Sequence, residues 1–210
     1  MTQRGFSLIE ISIVLVIVGL LLGAVLRGQS LIESARVRNV INQQESIKTA
    51  FFAFQDRFRA LPGDYALAST NIPGIPQWGN GNGDGEIKGP ESTIVWLHLS
   101  RAGFLTGAYA MASVDEVPGQ ANTPANAFGG LVLLANDAEF LAAAGPRLNL
   151  KTGGKVPSTV LAEIDRKTDD GNPSTGLFRA TGPAGTPATG CVAGTAWGLE
   201  QVDCAGAYLF

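Results

Sequence analysis

The stretch from Asn80 to Glu91 sets side-chain oxygens at alternate positions, Asn80, Asn82 and Asp84, follows them with Gly85, and closes on the carboxylate of Glu91. Hard divalent cations are held by oxygen donors, and this order, with glycine sixth and glutamate twelfth, is the spacing of an EF-hand calcium loop. In that reading Asn80, Asn82 and Asp84 offer side-chain oxygens, Glu86 its backbone carbonyl and Glu91 both carboxylate oxygens to Ca2+, while Gly85 makes the sharp turn. Asparagine in first place lowers the charge of the site. The flanks Trp78-Gly79 and Gly89-Pro90 do not read as helices, so the expectation is an isolated EF-like loop. A Gly/Asn-rich surface turn that holds no ion is the competing reading.

Other residues with chemical potential are less pointed. Asp165, Asp169 and Asp170 precede Gly171-Asn172-Pro173. Paired acids fit a second ion site or glycosidase chemistry, but a helix C-terminus stopped by Gly171 with solvated acids is the plainer account. His98 sits among apolar neighbours on an expected helix and reads as a structural histidine. The two cysteines, Cys191 and Cys204, lie far along the chain from His98, which argues against a zinc site or a Cys/His nucleophile pair. With no phosphate-binding loop either, the chain reads as non-catalytic. A net charge of −3 and a pI near 5.2 give no broad basic surface, which sets nucleic acid aside as a partner.

The elements that must carry these residues differ along the 210-residue chain. From Phe6 to Leu26 the only ionisable side chain is Glu10, and as a helix this run spans roughly 30 Å, the thickness of a bilayer core. It is longer than the apolar core of a secretory signal and runs on without a small-residue cleavage site, so it reads as retained. Arg4 before it and Arg27, Arg36 and Arg38 after it leave its orientation open. A carboxylate inside a bilayer costs roughly 2.5–3.5 kcal/mol and persists where something compensates it. Beyond Leu26 an apolar stripe of Val40, Ile47, Phe51, Phe54, Phe58 and Leu61 recurs at helical spacing, and Pro62-Gly63 is a stop. The pattern predicts one helix from Phe6 to about Ala60, roughly 80 Å long. Gly19, Gly23 and Gly28 lower helix propensity in its first half.

The string Arg4-Gly5-Phe6-Ser7-Leu8-Ile9-Glu10 at the head of such a run strongly resembles the class III signal of type IV pilins and type II secretion pseudopilins, and the resemblance extends over Phe6 to about Pro62. It implies that a prepilin peptidase cuts between Gly5 and Phe6 and methylates the new amine, removing residues 1–5 as a leader. It further implies that Glu10 pairs with a Phe6 amine, its own or a neighbour's, and sets register as subunits leave the membrane. The partners implied are sister subunits in a homo-oligomeric or mixed filament, the peptidase, and an inner-membrane assembly platform with its ATPase. The implied location is the bacterial inner membrane as a single pass, head outside the cytoplasm, then a periplasmic pseudopilus or a surface pilus. A minor subunit that initiates or tips the fibre, and a calcium-dependent adhesive module displayed on a pilin anchor, are the alternatives. In that oxidising setting Cys191 and Cys204 are expected to form a disulfide, worth roughly 3 kcal/mol in the chain-entropy model.

The domains expected are therefore a leader over 1–5, a helix over 6–61 with a membrane and assembly segment at 6–26 and an amphipathic part at 27–61, and a globular head over 62–210. Within the head, helices are expected from a Ser92 cap through Leu105, from Asn136 with Glu139 completing a capping box, and from Ser158. Strands are expected at Leu131–Leu134, Leu177–Thr181, Val192–Trp197 and Ala207–Phe210. The fold class is α+β, pilin-like: a long N-terminal helix packed on a small antiparallel β-sheet.

Overall fold

Helix α1 runs unbroken from Leu8 to Phe58 in the computed structural model, which describes residues 8–182, 185–199 and 201–210. The processing positions Gly5 and Phe6 lie outside the described residues. Ser12 and Ser30 turn their hydroxyls onto the carbonyls of Ile9 and Arg27, satisfying inside the helix the groups that would otherwise compete with it. The helix also continues through Gly19, Gly23 and Gly28.

The chain divides into two units, residues 1–38 and 39–210. In the first, the large apolar side chains described from Leu8 to Ile32 are exposed, Leu8, Leu15, Leu20 and Leu26 among them, and Val37 is buried. Among the described residues this helix is the one element long and apolar enough to cross a membrane. In the second unit the same helix carries the amphipathic stripe, with Val40, Ile47, Ala50, Phe51 and Phe54 buried, and Phe58 and Leu61 half-buried. The helix ends slightly before the predicted stop. Arg59 adopts a left-handed φ of 53° and donates its amide to Gln55 O at 2.9 Å, closing the last turn before Pro62.

The rest of this unit contains short helices α2 (Ala68–Asn71), α3 (Glu91–Arg101) and α4 (Ser158–Thr168), and strands β1 (Leu133–Asp137), β2 (Arg147–Lys151), β3 (Phe178–Ala180), β4 (Val192–Ala193), β5 (Ala196–Trp197) and β6 (Gly206–Leu209). Four strands form one antiparallel sheet in the order β1-β2-β6-β3, and β4 and β5 form a separate hairpin. The α+β class and the long helix with its small antiparallel sheet are thus as expected.

Register fixes two faces, since directly opposed residues share a face. Leu134, Leu150, Tyr208 and Phe178 stand in one row across the sheet. This face meets α1, where the Lys48 ammonium lies 3.9 Å from the Tyr208 ring centroid and Phe51 packs on Phe210. The other face carries Ala135, Asn149 and Leu209 in one row and Leu133, Lys151 and Ala207 in the next.

Four expectations need correction. Val192–Trp197 is not one strand: it turns at Gly194 and folds back as the β4–β5 hairpin, with Val192 opposite Trp197. Asn136 begins no helix: it and Asp137 extend β1, because pairing with β2 satisfies their backbone groups. Strand β2 is absent from the expected strands: Arg147-Leu148-Asn149-Leu150-Lys151 alternates at strand period, but with only two apolar side chains it becomes sheet through pairing with β1 and β6. Helix α3 starts at Glu91 and ends at Arg101; Ser92 lies inside its first turn and hydrogen-bonds Gly89 O at 2.7 Å instead of capping it.

Candidate metal-binding loop

The Asn80–Glu91 loop folds around a residue the spacing did not name. Asp64, just after the Pro62-Gly63 stop, is buried and aims its carboxylate at the loop amides. Its Oδ1 accepts from Gly83 N at 2.5 Å and Asp84 N at 3.1 Å, and its Oδ2 from Gly85 N at 2.8 Å. Charge-assisted bonds of this kind fix a glycine-rich turn that would otherwise have little to order it. Gly83 and Gly85 hold φ of 76° and 88°, the left-handed region glycine enters without penalty. Gly81 is glycine for a different reason: a Cβ there would come within 2.2 Å of the Asp64 backbone.

The predicted ligands then sort themselves. Carboxylate oxygens of Asp64, Asp84 and Glu91 lie within 4.8 Å of one another. Glu91, buried at the start of α3, accepts from Asn82 N at 3.0 Å through Oε1 and from Lys88 N at 3.2 Å through Oε2. Burial, and secondarily the charges of Asp64 and Asp84, push its pKa above the ordinary carboxylate value despite those two amides. Asn82 forms an Asx turn, accepting Asp84 N at 2.7 Å and donating to Asp84 Oδ2 at 3.1 Å. Asn80 points elsewhere: its Oδ1 accepts from Ser69 N at 2.7 Å. Glu86 pairs its side chain with Lys88. Asp64 therefore stands where Asn80 was expected, as the acid that gathers the turn amides. No local spacing rule could find a residue so far upstream.

All donors in this cluster are oxygens, and carboxylates predominate, which fits a hard cation such as Ca2+ and not a soft one. The arrangement is framed by His98. Its Nδ1 accepts from Gly63 N at 2.9 Å, so Nε2 carries the proton and donates to Gly79 O at 2.7 Å. The ring stacks on Phe54, centroids 5.9 Å apart. One imidazole thereby ties α1 and α3 to the residues preceding Asp64 and Asn80, and burial lowers its pKa to about 4.

The second acidic cluster is built from the other end of the head. Asp165 is buried and accepts from Trp197 Nε1 at 2.7 Å and Gly171 N at 3.1 Å; Asp169 Oδ2 accepts from Leu177 N at 2.5 Å and Phe178 N at 2.7 Å. The expectation of solvated acids is corrected for Asp165 and Asp169, while Asp170 is exposed. Asp165 and Asp169 pin the β4–β5 hairpin and the entry to β3 onto the end of α4, and Gly171 makes the turn with φ of 80°. Cys191 and Cys204 are joined in a disulfide that brackets that hairpin.

No curated protein and no solved structure matches the chain. Residues 1–26 match the prokaryotic N-terminal methylation motif, the class III signal of type IV pilins, and that signal heads the exposed apolar helix described above.

Proposed function

We propose that the chain is a structural subunit of a type IV pilus-like filament, a pilin or pseudopilin, cut after Gly5, methylated on Phe6 and polymerised through α1. The observation that carries this reading is the methylation motif at the head of a helix whose large apolar residues from Leu8 to Ile32 are exposed. Lipid covers such a surface first, and sister helices cover it in a fibre. Gly19 and Gly23, four residues apart, support the second environment: a Cβ at either would meet nothing in this chain, while their absence of side chains lets another helix approach closely. The sister subunits, the processing peptidase and a motorised assembly platform are the partners this requires. Imaging of purified filaments together with mass spectrometry of the N-terminus tests it. Filaments containing this chain with methylated Phe6 first are expected; a chain that keeps its first five residues and stays out of fibres overturns the reading.

A calcium ion at the loop is a second element of the proposal, supported by the meeting of Asp64, Asp84 and Glu91. These three would hold the ion, with Asn82 beside them, and bound Ca2+ would supply the positive charge that the crowded carboxylates favour. Calorimetry and thermal denaturation of the detergent-solubilised chain at roughly millimolar calcium decide the matter. Heat and a rise in Tm that Asp84→Asn abolishes are expected; neither effect in the wild type removes the ion from the proposal.

A further inference from the structure

On the sheet face turned away from α1, Lys151 Nζ lies 2.7 Å from Asp137 Oδ2 and 2.6 Å from Glu139 Oε2. The lysine side chain is only 9% exposed. Across the strands it adjoins Ala207, which belongs to an apolar cluster with Phe140 and Leu209. The remaining oxygen of Asp137, Oδ1, accepts from Glu139 N at 3.0 Å and Asn149 Nδ2 at 2.9 Å. An amine, a carboxyl group with two donors on one oxygen, and a second carboxylate within reach of the amine are the parts required for amide formation.

We propose that Lys151 and Asp137 become joined by an intramolecular amide bond, with Glu139 as the proton carrier. Proton transfer along the Nζ–Oδ2 hydrogen bond turns ammonium and carboxylate into amine and carboxylic acid, the pair in which nitrogen has a free lone pair and Oδ2 can leave as water. The Nζ lone pair attacks Cγ, and the electrons of the C=O bond move onto Oδ1, where the Glu139 amide and the Asn149 side chain stabilise the oxyanion. Glu139 takes a proton from Nζ. As the C=O bond re-forms, the Cγ–Oδ2 bond breaks, Oδ2 leaves with the proton from Glu139, and the products are one amide, one water and an unchanged Glu139 carboxylate. No oxidant or external reagent enters. Asp137 is the electrophile because it alone of the two acids has donors on its second oxygen, and because its side chain is 23% exposed against 48% for Glu139. The bond would clip β1 to β2 at one edge of the sheet, a useful place in a subunit that bears load, although the chemistry does not depend on the filament reading.

The test is peptide mapping of the full chain, denatured, reduced and digested with trypsin. Arg101, Arg147, Lys151 and Lys155 are cleavage points, so an uncoupled chain releases 102–147 and 148–151 separately. A coupled chain is expected to give 102–147 branched onto 148–155, lighter than the sum by one water, because trypsin does not cut after an acylated lysine. Fragmentation should place the branch at Asp137. Recovery of free 148–151 from wild type with no branched species overturns the proposal, and a branch at Glu139 overturns the assignment of roles. Glu139→Gln is expected to return the free peptides, while a parallel digest without reductant still shows its Cys191–Cys204 disulfide; full branching in that variant removes Glu139 from the mechanism.

Discussion

Glu10 and His98 are single ionisable residues set in apolar stretches of the chain. Glu10 is the only acid of the apolar run from Phe6 to Leu26, so its worth lies in what compensates it. Glu10→Gln and Glu10→Leu are expected to leave membrane insertion intact and to reduce filament yield severely; wild-type yield from both, measured by shearing and imaging, would refute the pairing with a Phe6 amine. His98 is held neutral. Its folded pKa of about 4 lies below the ordinary 6.5, so its stabilisation is fully present above the unfolded value and is lost as pH falls through the folded one. The total is on the order of 3 kcal/mol, set by burial of the ring, which disfavours the charged imidazolium. His98→Gln should be less stable than wild type at neutral pH, and the gap should close between pH 6.5 and about 4 in denaturant titrations. A constant gap would show that the imidazole is not the titrating group.

Among the elements, the calcium-type loop and the disulfide hairpin are both held by acids that arrive from elsewhere in the chain. Asp64 collects three loop amides. Removing it by Asp64→Ala leaves those donors without their acceptor and is expected to cost about 3 kcal/mol in chemical denaturation. Gly81→Ala should do similar harm through a clash with the Asp64 backbone, whereas alanine at Gly103, where a Cβ meets nothing, should cost only the strain of its positive φ. Equal losses at the two glycines would show that close approach is not what selects Gly81. In the hairpin, Asp165→Asn keeps the size of the side chain and its acceptor oxygen for Trp197 but gives up the charge. A loss of less than about 2 kcal/mol is expected, since burial already raises the Asp165 pKa and makes the carboxylate costly there.

At the scale of the whole molecule, one chain combines a unit built for an apolar environment with one built for water. A fragment of residues 39–210 is therefore expected to stay soluble without detergent and to retain its disulfide, while the full chain partitions into membranes; sedimentation after membrane extraction compares them. Loss of solubility in the fragment would mean that its own surface, and not α1, drives membrane association. The amino-acid sequence by itself determined the signal, the span and the stripe of α1, since these depend on residue type at fixed short spacings and lipid or water judges each residue nearly alone. It also located α4, β3 and β6 from local pattern. It could not locate β2 or the extension of β1, because pairing with a distant strand decides whether such a half-polar segment becomes sheet. The calcium-type spacing was legible from Asn80 to Glu91, yet only the tertiary structure put Asp64 at its centre, turned Asn80 away, and set His98 behind both. Lys151 meeting Asp137 and Glu139 likewise follows from strand register. Contacts of this kind are closed by chain reversal and burial, and short-range periodicity carries no record of them.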